Sequence, residues 1–162
     1  MTTSRYPCPG SFPQALNPSQ ARGFSLMELI ITLALIGIAA AIALPSYQSS
    51  TRKSNRSDGE ALLMGISSRM EVARYQNGSF TTDLTELNFG SASGVKSKEG
   101  YYTASVLAAT SACPINTCYI LRATPVGAQA KDGILELTST GIKRRDKNGD
   151  GDAMDADEEG WK

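Results

Sequence analysis

Histidine is absent from this chain of 162 residues. Without it no Ser/His/Asp or Cys/His nucleophile arrangement, no imidazole general base and no His-ligated zinc site can be assembled. Tryptophan occurs once, cysteine three times, and aromatic residues make up only 7% of the chain. Neither charge is in excess, since 16 Lys and Arg balance 16 Asp and Glu. With 41% hydrophobic residues the chain is otherwise an ordinary single domain, neither collagenous nor wholly disordered. An enzyme is not expected.

What is present is sharply sorted along the chain. The longest uncharged apolar run, Leu29 to Leu44, lies near the N-terminus. Between Ser46 and Arg145 there are 12 basic and 8 acidic residues, whereas Asp146 to Lys162 holds seven acids against Lys147 and Lys162. Zero net charge is therefore a cancellation between a mildly basic body and an acidic tail.

Residues 1–23 contain Pro7, Pro9, Pro13 and Pro18, with Arg5 and Arg22 and no acid. Each proline removes a backbone donor and disfavours the α region before it, so this stretch reads as a leader and not a fold element. Phe24 to Leu44 then gives 21 mostly apolar residues, which as a helix reach about 31 Å, the thickness of a bilayer's hydrocarbon core. The basic leader favours a cytoplasmic N-terminus, with the body on the outer side of the plasma membrane. A secretory signal with a cleavage site near Ala39 to Ala43 competes with this reading. It leaves unexplained Glu28, a carboxylate inside the apolar run, where an ionisable group requires a partner.

The string Arg22-Gly23-Phe24-Ser25-Leu26-Met27-Glu28-Leu29-Ile30 resembles the class III signal of the type IV pilin family. The resemblance implies that a prepilin peptidase cuts between Gly23 and Phe24, that Phe24 is then N-methylated, and that Glu28 serves assembly. It also matches Gly37 and Pro45 to positions that soften the helix in such pilins. The new Phe24 amine of one subunit and Glu28 of another would neutralise each other in an apolar setting, where either charge alone is unfavourable. Cys8 would leave with the leader.

In the body, Leu62, Leu63, Ile66, Met70 and Ala73 recur at three- and four-residue spacings, an amphipathic stripe suited to lie on a sheet. Asn77-Gly78 is a left-handed cap. One helix is expected from about Phe24 to Gln76, followed by an irregular connection with a helical turn near Leu84 to Leu87. Tyr101 to Ala109, Cys118 to Thr124 and Ile134 to Ser139 have strand composition, with turn signals between them. The expected fold is α+β: a long N-terminal helix, its apolar half protruding, packed on a small antiparallel sheet. The domains are then a leader over 1–23, a hydrophobic transmembrane or filament-core helix over 24–45, and a globular head with an acidic C-terminal loop over 46–162. The Tyr-Tyr strand, the Cys-x4-Cys hairpin, the Ala-Thr-Pro-Val-Gly segment and the Leu-Glu-Leu-Thr strand are similar to the heads of PilE-type minor pilins and the related ComP-like DNA-uptake pilins.

Cys113 and Cys118 remain as an even pair in an oxidising compartment, which points to a disulfide across a hairpin turn. A metal pair or redox thiols are the alternatives, though Cys-x4-Cys without His is a poor zinc set. Asp146-Lys147-Asn148-Gly149-Asp150-Gly151-Asp152 fits the start of a calcium loop, with Asp146, Asn148, Asp150, Asp152 and Asp157 as oxygen donors. The same residues also make solvated turns. Two basic clusters, Arg52-Lys53-Arg56 and Lys143-Arg144-Arg145, are either a solvated face with intersubunit salt bridges or, less favoured, a DNA-phosphate contact.

The resemblance implies a minor type IV pilus subunit, processed by prepilin peptidase and methylated. It would be held in the bacterial inner membrane by a single pass and passed by the pilus assembly platform into a surface filament with other pilin subunits, for twitching motility, adhesion or DNA uptake. A type II secretion pseudopilin and a DNA-binding uptake pilin are the alternatives. No cofactor is required, Ca2+ being the one candidate.

Overall fold

The computed structural model describes residues 23–153, 155 and 157–161. All of the expected leader except Gly23 therefore lies outside the described residues. By internal packing the chain divides into two units, Met1–Ala41 and Ile42–Lys162.

Helix α1 runs over Leu26–Asn77, 52 residues with Pro45 inside it. Within the first unit its large apolar side chains are all exposed, Leu26 at 77% and Ile36 at 64% among them. Within the second unit the expected stripe is the buried face: Leu63, Ile66, Met70 and Ala73 enter the core, and Leu62 packs partly against it. The helix ends where the Asn77-Gly78 signal places it. Gly78 takes a left-handed φ of 80° and its N–H donates to the Arg74 carbonyl at 2.8 Å, closing the last turn as a C-terminal cap does.

Five antiparallel strands form a simple meander in the order β1 (Val95–Lys96), β2 (Tyr102–Val106), β3 (Ile120–Pro125), β4 (Leu135–Thr138) and β5 (Lys143–Arg145). The three strand-like segments of the sequence are β2, β3 and β4. The structure adds two short edge strands. The connection from the helix holds the expected turn as a 3-10 stretch over Leu84–Leu87, capped by Asp83, whose carboxylate accepts from the Thr85 N–H at 2.9 Å. A second 3-10 stretch, Gly127–Asp132, joins β3 to β4.

The strand register decides which side chains meet the helix. Tyr102, Ala104, Leu121, Ala123, Leu135 and Leu137 are buried in one cluster with the α1 stripe, and alternate residues such as Arg122 and Glu136 point to the other face. Helix and sheet approach closely at Gly59, where an added Cβ would stand 2.8 Å from the Tyr102 ring. Only a residue without a side chain fits that contact.

Candidate functional site

Three of the places singled out by the sequence are local in the chain, and a fourth brings its two basic clusters together only through the fold. At the start of the chain Phe24 is 81% exposed and Glu28 lies in the first turn of α1, where the positive end of the helix dipole favours a carboxylate. Gly37 lies within the helix with nothing within 4 Å of an added Cβ, and Pro45 also sits inside it. Proline leaves one helical hydrogen bond unmade and bends the ladder.

Cys113 and Cys118 are joined in a disulfide, with their Cα atoms 5.0 Å apart. The bridged loop is a tight turn, in which the N–H groups of Thr117 and Cys118 both donate to the Pro114 carbonyl, at 3.0 and 2.9 Å.

The acidic loop is organised by its own hydrogen bonds. Asp146 is buried and accepts from the N–H groups of Gly149 and Gly151 at 2.5 and 3.1 Å. The Asn148 side-chain amide donates to Asp150 and to Asp155, each at 2.9 Å, while its oxygen accepts from the Asp150 N–H. The Asp152 N–H donates to Asp150, and the Lys147 ammonium to the Asp157 carbonyl. Glu158, buried, accepts from the N–H groups of Lys147 and Asp155. The N–H of Asp152 and the amide of Asn148 hold the Asp150 carboxyl below its ordinary range, whereas the charge of Glu158, then desolvation and the neighbouring Asp charges, pushes Asp155 up. Oxygen donors suit a hard cation in kind. Here Asn148 turns its nitrogen to the carboxylates, and among the described residues no three His, Cys, Asp or Glu side chains gather as a metal-binding group.

The fourth place joins the two basic clusters. Lys143-Arg144-Arg145 reads in sequence as one patch, but as β5 it alternates. Lys143 and Arg145 align with the core residues Leu137 and Leu135, while Arg144 aligns with Glu136. Lys143 lies over the Trp161 ring, 4.6 Å from its centre, and Arg145 turns toward α1, 3.9 Å from Asp132. Arg145 thereby joins Arg52, Lys53 and Arg56 around one cleft, together with Lys131.

At the floor of this cleft is a buried polar network. The Arg56 guanidinium donates twice to Asp132, at 2.8 and 2.7 Å, and once to the Trp161 carbonyl at 2.9 Å. The Tyr102 hydroxyl donates to Asp132 at 2.6 Å, and Gln129 donates to Tyr102 and to the Arg52 carbonyl. This network ties α1, β2, the second 3-10 stretch and the chain end together. Burial alone would raise the Asp132 carboxyl, but the hydrogen bonds from Arg56 and Tyr102 and the nearby cationic charge outweigh it and hold Asp132 below its ordinary value. Burial, then the bond to Asp132, pushes the Tyr102 phenol well up. Asp132 went unnoticed in the sequence because Asp132-Gly133 reads as a plain turn. The isolated acid beside Lys131 was the only available signal.

The family model described as "Type IV minor pilin ComP, DNA uptake sequence receptor" matches residues 45–137, and the prokaryotic N-terminal methylation motif matches residues 18–44. The type IV major pilin protein PilE of Neisseria gonorrhoeae is 38% identical over 79 residues, 48% of this chain and 46% of that protein. The fimbrial protein EcpC of Eikenella corrodens is 31% identical over 125 residues, covering 76% of this chain and 67% of its own length. A fimbrial protein of Moraxella nonliquefaciens is 44% identical over 57 residues, 35% of this chain and 36% of that one. The match thus spans about half the length of the Neisseria relative and two thirds of the Eikenella one. With a methylation motif leading into a long helix and a matched head, the chain belongs to the type IV pilins, in the family of the minor pilin ComP.

Proposed function

We propose that this chain is a minor structural subunit of a type IV pilus, with no catalytic step of its own. It enters the bacterial inner membrane through Phe24 to Leu44, with its head outside the cytoplasm. Prepilin peptidase cuts between Gly23 and Phe24 and methylates Phe24, and the assembly platform then moves the subunit into a surface filament for motility, adhesion or DNA uptake. The observation that carries this reading is the unburied apolar surface of α1. Leu26, Leu29, Ile30, Leu33, Leu35, Ile36 and Ile38 are all more than half exposed. Each such side chain gains about 1.5–3 kcal/mol on leaving water, so the segment must be covered, first by lipid and then by sister helices. Glu28 would then meet the Phe24 amine of a neighbour and set the axial step.

The matched family description favours a second reading of the head, as a receptor for DNA during uptake. Phosphate contacts of this kind weaken steeply with salt. The purified full-length chain should retard duplex DNA at moderate salt if this reading holds, and leave it unshifted if the head serves assembly alone. The acidic loop is read as a folded turn closed by Asn148. The main reading is tested by mass spectrometry of the mature protein. It requires an N-terminus at methyl-Phe24, and an N-terminus beyond Ala39 would replace it with an ordinary signal peptide.

A further inference from the structure

The cationic cleft has more positive charge than the fold uses. It is about 300 Å³ in volume, and Arg52, Lys53, Arg56, Lys131 and Arg145 surround a single carboxylate, Asp132. That carboxylate is already committed to two bonds from Arg56 and one from Tyr102. Arg145 approaches it only to 3.9 Å, and the Arg145 Nε is buried without a hydrogen-bond partner. A buried donor on a charged group left unpaired is unfavourable by more than a neutral one. Burial and the charge of Arg56 also lower the Arg145 pKa, the mark of a cation crowded by another. What the cleft is short of is an anion with several acceptor oxygens.

Its place along α1 indicates which anion. Ser49, at one rim of the cleft, is five residues past Leu44, and Arg52 is eight past it. At helical rise these lie about 7 and 12 Å beyond the end of the apolar run. The headgroup layer extends about 5–7 Å beyond the hydrocarbon, and the remaining gap is within reach of long basic side chains that extend toward an interface. A neighbouring cleft shares Arg52 and is lined by Tyr47, 72% exposed, and Tyr101. Tyrosine beside Lys and Arg immediately past an apolar span is the composition of a membrane interface.

We propose that this cleft binds the phosphodiester headgroups of anionic phospholipids while the chain is anchored in the membrane, docking the head on the bilayer surface before assembly. The proposal rests on the membrane-anchored reading above. Lys53 and Lys131, both exposed, draw the headgroup in, and Arg52 and Arg145, which line the cleft with them, supply the remaining counter-charge. Extraction into a filament removes the lipid and frees the same cations for a neighbouring subunit.

The test uses the full-length chain in zwitterionic detergent, with its thermal midpoint followed as ligand is added, since a ligand that binds only the folded state raises that midpoint. Short-chain phosphatidylglycerol is expected to raise it, and phosphatidylcholine of the same chain length to leave it in place. Lys53→Gln with Lys131→Gln should keep the ligand-free midpoint and weaken the apparent affinity for phosphatidylglycerol about 30-fold, near fivefold per charge. Arg52→Gln, which leaves the Arg56 and Asp132 pair intact, should repeat the single-charge loss. Equal stabilisation by inorganic phosphate, a response to duplex DNA without one to phosphatidylglycerol, or an unweakened double variant overturns the proposal. Flotation with vesicles after carbonate washing separates the two levels. A chain not retained defeats the anchored reading, whereas a retained chain indifferent to phosphatidylglycerol defeats the cleft alone.

Discussion

Leu35 and Leu63 belong to one helix, yet Leu35 is 61% exposed and Leu63 is wholly buried. Residue type and helical propensity are the same, so neither separates them. What differs is the partner. Leu63 shares one buried cluster with Tyr102, Leu121 and Leu135 of the sheet, while among the described residues nothing buries Leu35. A helix of this length takes most of its stability from packing of a face and little from propensity, so under the proposed function the first part of α1 is half of an interface whose other half is lipid or a sister subunit. The head buries its apolar stripe within the chain, and the apolar segment does not.

The largest effect expected from breaking this contrast lies in the polar network that joins α1 to the sheet. Asp132→Asn leaves the Arg56 guanidinium buried without its counter-charge and should lower head stability by about 3–5 kcal/mol, read by chemical denaturation. The same network sets a pH window. Asp132 has a depressed folded pKa, so its contribution is present above the ordinary Asp value of about 3.9 and is lost as pH falls below it. Tyr102, with a raised folded pKa, contributes fully below about pH 10 and loses that contribution as pH rises further. Stability measured across pH should therefore fall at both ends in the wild type. In Asp132→Asn the acid-side loss should shrink.

Next in size is the leucine pair itself. Leu63→Ala should destabilise the head by about 2–5 kcal/mol through the cavity it leaves. Leu35→Ala should change the thermal midpoint of the detergent-solubilised chain by no more than an ordinary surface substitution, within about 0.5 kcal/mol. Equal effects at the two positions would abolish the distinction. Replacing Cys113 and Cys118 by Ser removes a short loop closure and should reduce stability by about 2 kcal/mol, with the core midpoint otherwise kept. The smallest effect is expected from calcium. Because Asn148 and the Gly149 and Gly151 N–H groups already engage Asp146, Asp150 and Asp155, calorimetry should show no saturable heat. Saturable heat lost on Asp146→Ala plus Asp150→Ala would show that the loop opens to take the ion.

The parts of the fold legible in the sequence were those set by local periodicity. The stripe Leu63, Ile66, Met70 and Ala73 repeats at the helical spacing, and the segments that became β2, β3 and β4 are rich enough in β-branched and aromatic residues to stand out. Edge strand β1 is two residues long, with Val95 alone entering the core, and β5 consists of three cations, so neither carries a periodic apolar signal and pairing with a neighbouring strand is what defines them. The cationic cleft was illegible for a different reason. Arg56 and Arg145 are 89 residues apart, and only the period-two alternation of β5, fixed by its register with β4, separates Arg144 from Arg145 and turns the latter toward α1. Asp132 looked like turn chemistry because nothing local to it reveals the guanidinium that reaches it from the helix.

The central claim is that a neighbouring molecule completes the apolar segment through Glu28. The most direct test is to quantify Glu28→Ala protein in sheared filaments and in the membrane fraction of the same cells. The variant should insert in the membrane at wild-type level and be absent or strongly depleted from filaments. Wild-type incorporation of the variant would contradict the account.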